Sequence, residues 1–386
     1  MTAATATAAS AEELRARAKM RRLIIQTLLL GIALLVIWGG VRSAQVNLTA
    51  LGITSGFGFL DRSTGWDYSF SLIDRSINDP YSRTLLIGLM NTMFVGFICI
   101  FLSTVFGFLI GTARDASNIA IKTAATVYVQ IFRNIPLILQ AIFLYAILIH
   151  LPGPRQAYTI GDAVFLSNRG MKLPGLNVSP GVAVGILLVS LAVLVGLILW
   201  RRTTLIKGAA LWIGGTLLVA LLAALAVRPE GESLLSIPEL KGLRFRGGIT
   251  VSVELWAMIV AITVYGSAYI AEVVRGGLNE VPRGLVEAGQ ALGLAPGAIW
   301  SRIKVPMALR SIVPPLGNQW IFIMKATTIG IAIGFADLFY IVSNSITQSG
   351  QTLELIALLM GAFLLVNFSI AFFTNWLNAR LQLKAH

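Results

Sequence analysis

The stretch that decides how this chain is organised reads Glu280-Val-Pro-Arg-Gly-Leu-Val-Glu-Ala-Gly-Gln-Ala-Leu-Gly-Leu-Ala-Pro-Gly-Ala-Ile-Trp-Ser-Arg-Ile-Lys-Val-Pro306. Pro282 can occupy the first turn of a short helix, where its missing N–H is no loss. Gly293 can end that helix in a left-handed cap. Pro296 can open a second helix, and we expect Pro306 to stop it. The stretch therefore predicts a short helix-turn-helix.

One face of the first predicted helix carries Leu285, then Ala288 or Gly289, then Leu292. The centre of that face is nearly bare of side chains, so another protein can approach the backbone closely. A short and rigid pair of helices can also transmit a push without bending. These properties predict a loop that docks on another protein.

Long apolar runs flank this loop. The chain is 56% hydrophobic and 12% charged, and its mean hydropathy is +0.81. A soluble domain carries about 25% charged residues, so one soluble core cannot hide this much apolar surface. Each run is near or above the ~20 residues that cross a bilayer. We predict eight spans, at about 23–41, 84–113, 122–150, 181–200, 207–227, 249–271, 311–334 and 353–378.

The composition also excludes several classes of function. The net charge of +13 can indicate a nucleic-acid partner. We expect none, because the basic residues lie between apolar runs and not on one soluble face. Cys99 is the only cysteine and His150 and His386 are the only histidines, so we expect no disulfide, metal site or catalytic cluster. No Gly-x-x-x-x-Gly-Lys-Ser/Thr loop occurs, so if ATP drives this protein, another chain binds it.

Lysine and arginine predict the orientation of the spans. With the N-terminus inside, the inside segments carry more of these residues than the outside segments, and a basic stretch precedes the first span. Both termini and the loop 272–310 are then cytoplasmic. The first span, of about 19 residues, exceeds the usual 7–15 of a signal core, so we predict an uncleaved anchor. We expect residues 1–12, which are small and polar, to be disordered.

These patterns predict an all-α integral membrane protein with a five-helix core, one extra N-terminal helix and one inserted hairpin. Residues 181–200 and 207–227 are almost wholly aliphatic, which favours a hairpin that faces lipid. The predicted segments are a cytoplasmic tail (1–22), an extra helix (23–41), an outside segment (42–83), core helices one and two (84–150), an insertion with outside loops and the hairpin (151–248), and core helices three to five with the loop (249–380).

The loop resembles the EAA motif of permease subunits of binding-protein-dependent ABC importers. That pattern is Glu-Ala-Ala, three residues, Gly, nine residues, Ile, one residue and Leu-Pro. Glu287-Ala288-Gly289, Gly293, Ile303 and Val305-Pro306 match the spacing without a gap. Gly289 replaces Ala and Val305 replaces Leu, and both changes are conservative in size. The resemblance implies that Glu287 to Pro306, with Leu292 on the bare face, dock on an ATPase subunit.

Other stretches resemble the polar amino-acid branch of this family. They are Gly88-Leu-Met-Asn91-Thr92, Phe132-Arg-Asn-Ile-Pro-Leu-Ile-Leu-Gln140, Tyr265-Gly-Ser-Ala-Tyr-Ile-Ala-Glu-Val-Val-Arg-Gly-Gly277 and Asn318-Gln-Trp-Ile-Phe-Ile-Met-Lys-Ala-Thr-Thr328. The usual member has five spans. The N-terminal helix and the 152–248 insertion depart from it and look like the longer permeases of general L-amino-acid importers.

The resemblance implies a set of partners. A separate ATPase dimer would hold ATP and Mg, a periplasmic binding protein would deliver L-amino acids, and a second, different permease chain would complete the pore in the bilayer. This chain itself would hold no cofactor and perform no catalysis.

Polar residues inside the third predicted span suggest a translocation path. A charge at the depth of Arg133 is costly and usually functional or paired. Pro136 deprives the Phe132 carbonyl of its helical partner, and a broken helix beside a charge often builds a substrate site. One hypothesis is that Arg133, Asn134 and Gln140 line the path beside Pro136. The alternative is that Arg133 pairs with an acid or with carbonyls at a subunit interface.

A second polar group lies in the seventh span, with Lys325 in the middle of the segment and Thr327 and Thr328 following it on the outer side. Lys325, Thr327 and Thr328 can line the same path. The alternative is a structural ion pair between Lys325 and Glu254.

One packing motif and one competing function complete the sequence analysis. Ser103, Gly107 and Gly111 form a small-residue stripe that predicts close helix packing. The competing function is a secondary transporter driven by an ion gradient, but it would need an internal repeat, and we find none.

Overall fold

The computed structural model describes residues 3–50, 56–161, 163–199, 205–227, 233–242 and 244–381. Within these residues the helices are α1 (Ala3–Ala50), α2 (Tyr81–Ala113), α3 (Ile119–Asn134), α4 (Leu137–Ile149), α5 (Pro180–Leu199), α6 (Leu205–Val227), α7 (Val253–Asn279), α8 (Arg283–Ala291), α9 (Pro296–Ile299), α10 (Val305–Ala326), α11 (Leu338–Ser349) and α12 (Thr352–Leu381). A π-helical turn, Trp300–Lys304, joins α9 to α10, and a 3₁₀ helix, Thr327–Ile333, follows α10.

The helices confirm the predicted fold class of an all-α integral membrane protein. Five described helices are long and apolar enough to cross a membrane, or up to seven candidates if each of two bent helix pairs is one span. The prediction of about eight exceeds that number by one. The predicted span that is not among these candidates is α5, whose side chains are described only in part. Residue 200, the end of that predicted span, lies outside the described residues.

The N-terminal helix is longer than its sequence pattern indicated. Helix α1 extends beyond the predicted span 23–41 at both ends and covers most of the tail that was expected to be disordered. Its first turns are rich in alanine, the strongest helix former, and no proline interrupts the helix. No residue of its apolar stretch Lys19–Asn47 is buried, so this stretch does not pack into the core of the bundle.

Two predicted spans are broken. The span 122–150 is two helices, α3 and α4, bent by 99° at Ile135 and Pro136. Ile135 is extended, as a residue before proline prefers. The span 311–334 continues through a 50° bend into α11, which the sequence analysis missed. Gly334 provides the left-handed turn at this bend, and the Asp337 side chain caps α11.

Helix α7 is the centre of the bundle, and α2 packs along it through the small-residue stripe. The hydroxyl of Ser103 donates to carbonyl oxygens of α7. A Cβ atom placed on Gly107 would lie 2.6 Å from the Cβ of Ile270, and one on Gly111 would lie 2.7 Å from the Cβ of Val274. The stripe therefore packs the two helices closely, as predicted.

The insertion forms small antiparallel sheets, which the sequence analysis did not predict. The strands are β1 (Tyr158–Ile160), β2 (Val164–Ser167), β3 (Gly170–Leu173), β4 (Gly175–Leu176), β5 (Leu235–Ser236), β6 (Glu239–Lys241), β7 (Arg244–Arg246) and β8 (Ile249–Val251). One sheet has the order β1-β2-β3-β8, and β4-β5 and β6-β7 form two others. The hairpin of α5 and α6 leaves this unit between β4 and β5. We call this side of the bundle the strand end, and the opposite side, with residues 280–306, the loop end.

A buried amide holds the strand end together. The side-chain nitrogen of Asn91 donates to the carbonyls of Phe70 and Ala336, at 3.1 and 2.8 Å. The neighbouring Thr92 hydroxyl accepts from the backbone N–H of Leu338 at 2.9 Å. These two residues thus join α2 to the start of α11 and to the segment before α2.

Candidate functional site

The loop at the loop end is two helices joined by a tight cap. Helix α8 ends at Ala291 and is capped by Leu292, and the next residue, Gly293, has φ +74°, the predicted left-handed conformation. Gly293 N–H donates to the Gln290 carbonyl at 2.9 Å, and Leu294 N–H donates to the Gly289 carbonyl at 3.1 Å. These two bonds form a complete Schellman motif. Local chemistry therefore fixes the turn.

The prediction that Pro306 stops the second helix is wrong. Pro296 opens α9 as expected, but the chain continues through the π-helical turn into α10 without leaving the helix. Val305 N–H donates to the carbonyl of Trp300, five residues earlier, so the turn is widened just before the proline. Pro306 directly follows this widened turn, and the irregularity accommodates the proline within a continuous helical path.

The two faces of α8 have different roles. Glu287, Ala288 and Leu292 are exposed, and Leu292 has 80% of its surface accessible. Gly289 instead faces inward, where an added Cβ would lie 2.9 Å from the Cδ1 of Ile303. The bare centre of the outer face is thus Ala288, while Gly289 and Ile303 hold the two helices against each other.

A cluster of charges lies beside this loop. Glu272 of α7 accepts from Arg114 at 2.5 Å, from Arg133 at 3.2 Å and from Arg275 at 3.1 Å. Arg133, the residue for which the sequence left two roles open, therefore pairs with an acid. That acid is 139 positions further along the chain, so no local pattern could identify it.

The break at Pro136 is stabilised by a buried side chain. The amide nitrogen of Gln140 donates to the Phe132 carbonyl at 3.0 Å and to the Ile135 carbonyl at 2.9 Å. Phe132 is the residue whose carbonyl Pro136 leaves without a helical partner. Gln140 is 8% exposed and Asn134 is exposed, so of these two amide side chains only Asn134 presents a polar surface beside the break.

The second predicted polar group lies towards the strand end. Lys325 is exposed near the end of α10, and the Thr327 and Thr328 hydroxyls donate to the carbonyls three residues before them. Glu254 lies in the first turn of α7, where a carboxylate favours the helix dipole. Although the structure describes both residues, no ion pair joins Lys325 to Glu254, so that predicted pairing is wrong.

Aromatic side chains connect the two polar groups. Tyr265, Tyr269 and Phe322 form a cluster with ring centroids 4.8 to 6.3 Å apart, which we call the aromatic strip. The guanidinium of Arg133 lies 4.9 Å from the ring centre of Tyr269. Lys325 lies one turn beyond Phe322 on the same helix. Sequence analysis missed this strip, although the i, i+4 spacing of the two tyrosines could have indicated it.

The described residues contain no group of three His, Cys, Asp or Glu side chains that could hold a metal ion. Neither the loop nor the strip has the composition of a metal or cofactor site.

Comparisons with known proteins agree with the predicted resemblance. The chain is 40% identical to YhdX of Escherichia coli (strain K12) over 345 residues, covering 87% of this chain and 88% of YhdX, whose name provisionally describes an amino-acid ABC transporter permease. It is 35% identical to the general L-amino acid transport system permease protein AapQ of Rhizobium johnstonii, covering 95% and 93%. It is 31% identical to the glutamate/glutamine/aspartate/asparagine transport system permease protein BztB of Rhodobacter capsulatus, covering 95% of each chain.

The pattern of one protein family matches residues 103–383, a range that includes the loop, the charge cluster and the aromatic strip. The chain therefore belongs to the family of binding-protein-dependent transport system inner membrane components.

Proposed function

We propose that this chain is a permease subunit of an ATP-driven importer of L-amino acids. Its family and the names of three relatives that it covers over most of their length support this function. Both AapQ and BztB are named for amino-acid transport, and the name of AapQ, a general L-amino acid permease, favours a broad cargo.

The observation that carries the proposal is the exposed loop at the loop end. Its outer face presents Glu287, Ala288 and Leu292, and its turn is fixed by the Schellman motif at Gly293. A leucine with 80% of its surface accessible at the tip of a rigid loop suits docking into a groove of another protein. That protein would be the ATPase dimer, which would bind ATP and Mg and perform the catalysis.

The remaining partners follow from this placement. The loop end, with both termini, would face the cytoplasm, and the strand end would face a periplasmic amino-acid-binding protein. A second permease chain, a different homologue of this one, would complete the pore in the inner membrane.

The substrate path would follow the aromatic strip. Arg133 contacts the strip at Tyr269, with Asn134 next to it in the chain, and Lys325 would continue the path one turn beyond Phe322. Cations and aromatic edges suit the carboxylate of an amino acid and its side chain. Buried Gln140 and Thr327 would support this surface, with Pro136 setting the break, while Thr328 and Glu254 would border its outer end.

Transport would proceed by alternating access. Closure of the ATPase dimer would move the loops of the two permease chains together and open the strand end to the loaded binding protein. Hydrolysis would reverse the movement. Energy would enter this chain through Glu287 to Pro306, because it has no nucleotide-binding loop of its own.

The test compares substitutions at Gly293 in liposomes that contain this chain, its ATPase and its binding protein. Gly293→Val forces a β-branched residue into φ +74°, whereas Gly293→Asn adds similar bulk and tolerates that conformation. We expect L-amino acids, added one class at a time, to stimulate ATP hydrolysis with the wild type and with Gly293→Asn. Gly293→Val should lose most of the stimulation at equal assembly.

Two outcomes would contradict the proposal. One is a well-folded chain with which no ATPase assembles. The other is uptake that follows an ion gradient without ATP, which would favour a secondary transporter.

A further inference from the structure

The end of α2 connects the docking loop to the rest of the bundle through two adjacent residues. Arg114 ends this helix, and Asp115 follows it. The Asp115 carboxylate pairs with Lys304 in the π-helical turn of the loop, and the Arg114 guanidinium pairs with Glu272 of α7. Neighbouring positions of one chain thus connect different elements.

Glu272 extends this connection to the broken helix. Besides Arg114, it holds Arg133, which lies two residues before Ile135 and three before Pro136, where the chain bends by 99°. A continuous series of ion pairs therefore runs from the loop, through the end of α2 and through Glu272, to the bend between α3 and α4.

Two of these three contacts, Arg114–Glu272 and Lys304–Asp115, are sheltered enough to matter energetically. The Arg114 and Glu272 side chains are 11% and 29% exposed, and the Asp115 and Lys304 side chains are 21% and 25% exposed. Removing one partner of a sheltered pair leaves an uncompensated charge, which costs far more than losing a surface pair. A pair of this kind has two discrete states, formed and broken, as an element that transmits a movement requires.

The loop is suited to move as a rigid unit relative to Asp115, the partner of Lys304. Gly289 and Ile303 fix α8 against the second helix, so the two helices shift together. Lys304 lies in a π-helical turn, a type of irregularity that often marks a hinge or a functional position. A displacement of the loop would therefore move Lys304 relative to Asp115.

We propose that Lys304–Asp115 and Arg114–Glu272–Arg133 form an ion-pair relay that passes the movement of the docking loop to the bend at Pro136. These are positioning residues, and the inference rests on the proposed function. The relay gives two of the three arginines around Glu272, Arg114 and Arg133, a common role at the loop end. Through the relay, the position of the Arg133 guanidinium at one end of the aromatic strip would depend on the position of the loop.

The test is a charge exchange across the first pair. Lys304→Asp and Asp115→Lys each place like charges opposite each other, and the double exchange restores opposite charges. The measurement is the ratio of amino acid imported to ATP hydrolysed in liposomes, with the amount of assembled complex determined by co-purification. Lys241→Asp is the matched control, since its ion pair with Glu239 is exposed and remote from the loop.

We expect each single exchange to lower the ratio at least fivefold, the double exchange to recover it to within about twofold, and Lys241→Asp to leave it unchanged. A purely structural role would lower import and hydrolysis together and keep the ratio constant. Glu272→Gln is a second variant, and it should also lower the ratio of import to hydrolysis. Adding the double exchange of Lys304 and Asp115 to Glu272→Gln should not restore that ratio.

The inference is overturned if the wild type couples import to hydrolysis and the single exchanges do so equally well, or if the double exchange does not recover. A wild type that shows no substrate-stimulated hydrolysis would refute the proposed function itself, and the relay with it.

Discussion

A single methyl group at Gly111 should weaken the contact between α2 and α7. An added Cβ would lie 2.7 Å from the Cβ of Val274 and 2.8 Å from the carbonyl oxygen of Ala271. Neither atom can move without the backbone of α7, so the helices must separate. Overpacking of this kind costs about 1–3 kcal/mol. The helix propensity of alanine returns about 1 kcal/mol of this.

Gly276→Ala separates the two effects. Gly276 also lies in a helix, in α7 at the same end of the bundle, and nothing lies within 4 Å of its added Cβ. This substitution should gain the propensity without the clash. The two variants should therefore differ by about 1–3 kcal/mol in the free energy of unfolding, with Gly111→Ala the less stable.

The assay is denaturation of the purified chain in mixed detergent micelles, with helical circular dichroism as the readout. If the two variants unfold at the same denaturant fraction, α2 and α7 do not approach as closely as described. The argument from the small-residue stripe would then fail.

Two further predictions concern buried polar groups. Gln140→Leu removes the donor to the Phe132 and Ile135 carbonyls and should lower the free energy of unfolding by about 1–3 kcal/mol. The same change at the exposed Gln130 should be nearly neutral. Equal effects of the two substitutions would contradict the role of Gln140 at the break. Burial raises the pKa of Tyr68 from 10.0 to about 12. The unfolded chain therefore releases this proton first as the pH rises, and stability should fall by up to about 1.4 kcal/mol per pH unit between these values. In Tyr68→Phe this pH-dependent loss of stability should be absent. If the substitution leaves the pH dependence of the free energy of unfolding unchanged, the raised pKa of Tyr68 is refuted.

Features with a local cause were predictable from the sequence. The left-handed cap at Gly293 depends on a few neighbouring residues, and the stripe at Ser103, Gly107 and Gly111 depends on helical spacing. The rough position of the spans depends on hydropathy alone. Each of these could be predicted because the determining residues are close in sequence.

Features with a distant cause were not predictable. The partner of Arg133 is Glu272, and no spacing rule connects them. The loss of one hydrogen bond at Pro136 was expected from the sequence, but a bend of 99° was not. Gln140 stabilises this bend from within the next helix, and no sequence pattern indicated that contact. Helix α11 was missed although Asp337 and Gly350, its two caps, were visible signals, because the hydropathy pattern ended the span before them.

The charge cluster and the close packing at the loop end are parts of one arrangement. Gly111 brings the backbone of α2 against α7 one turn before Arg114, and Glu272 lies between Ala271 and Val274, the residues that Gly111 contacts. Without that approach the guanidinium of Arg114 could not lie 2.5 Å from the carboxylate. A glycine recognised from its spacing thus creates the place where charges distant in sequence meet, which is why the packing was predictable and the ion pairs it permits were not.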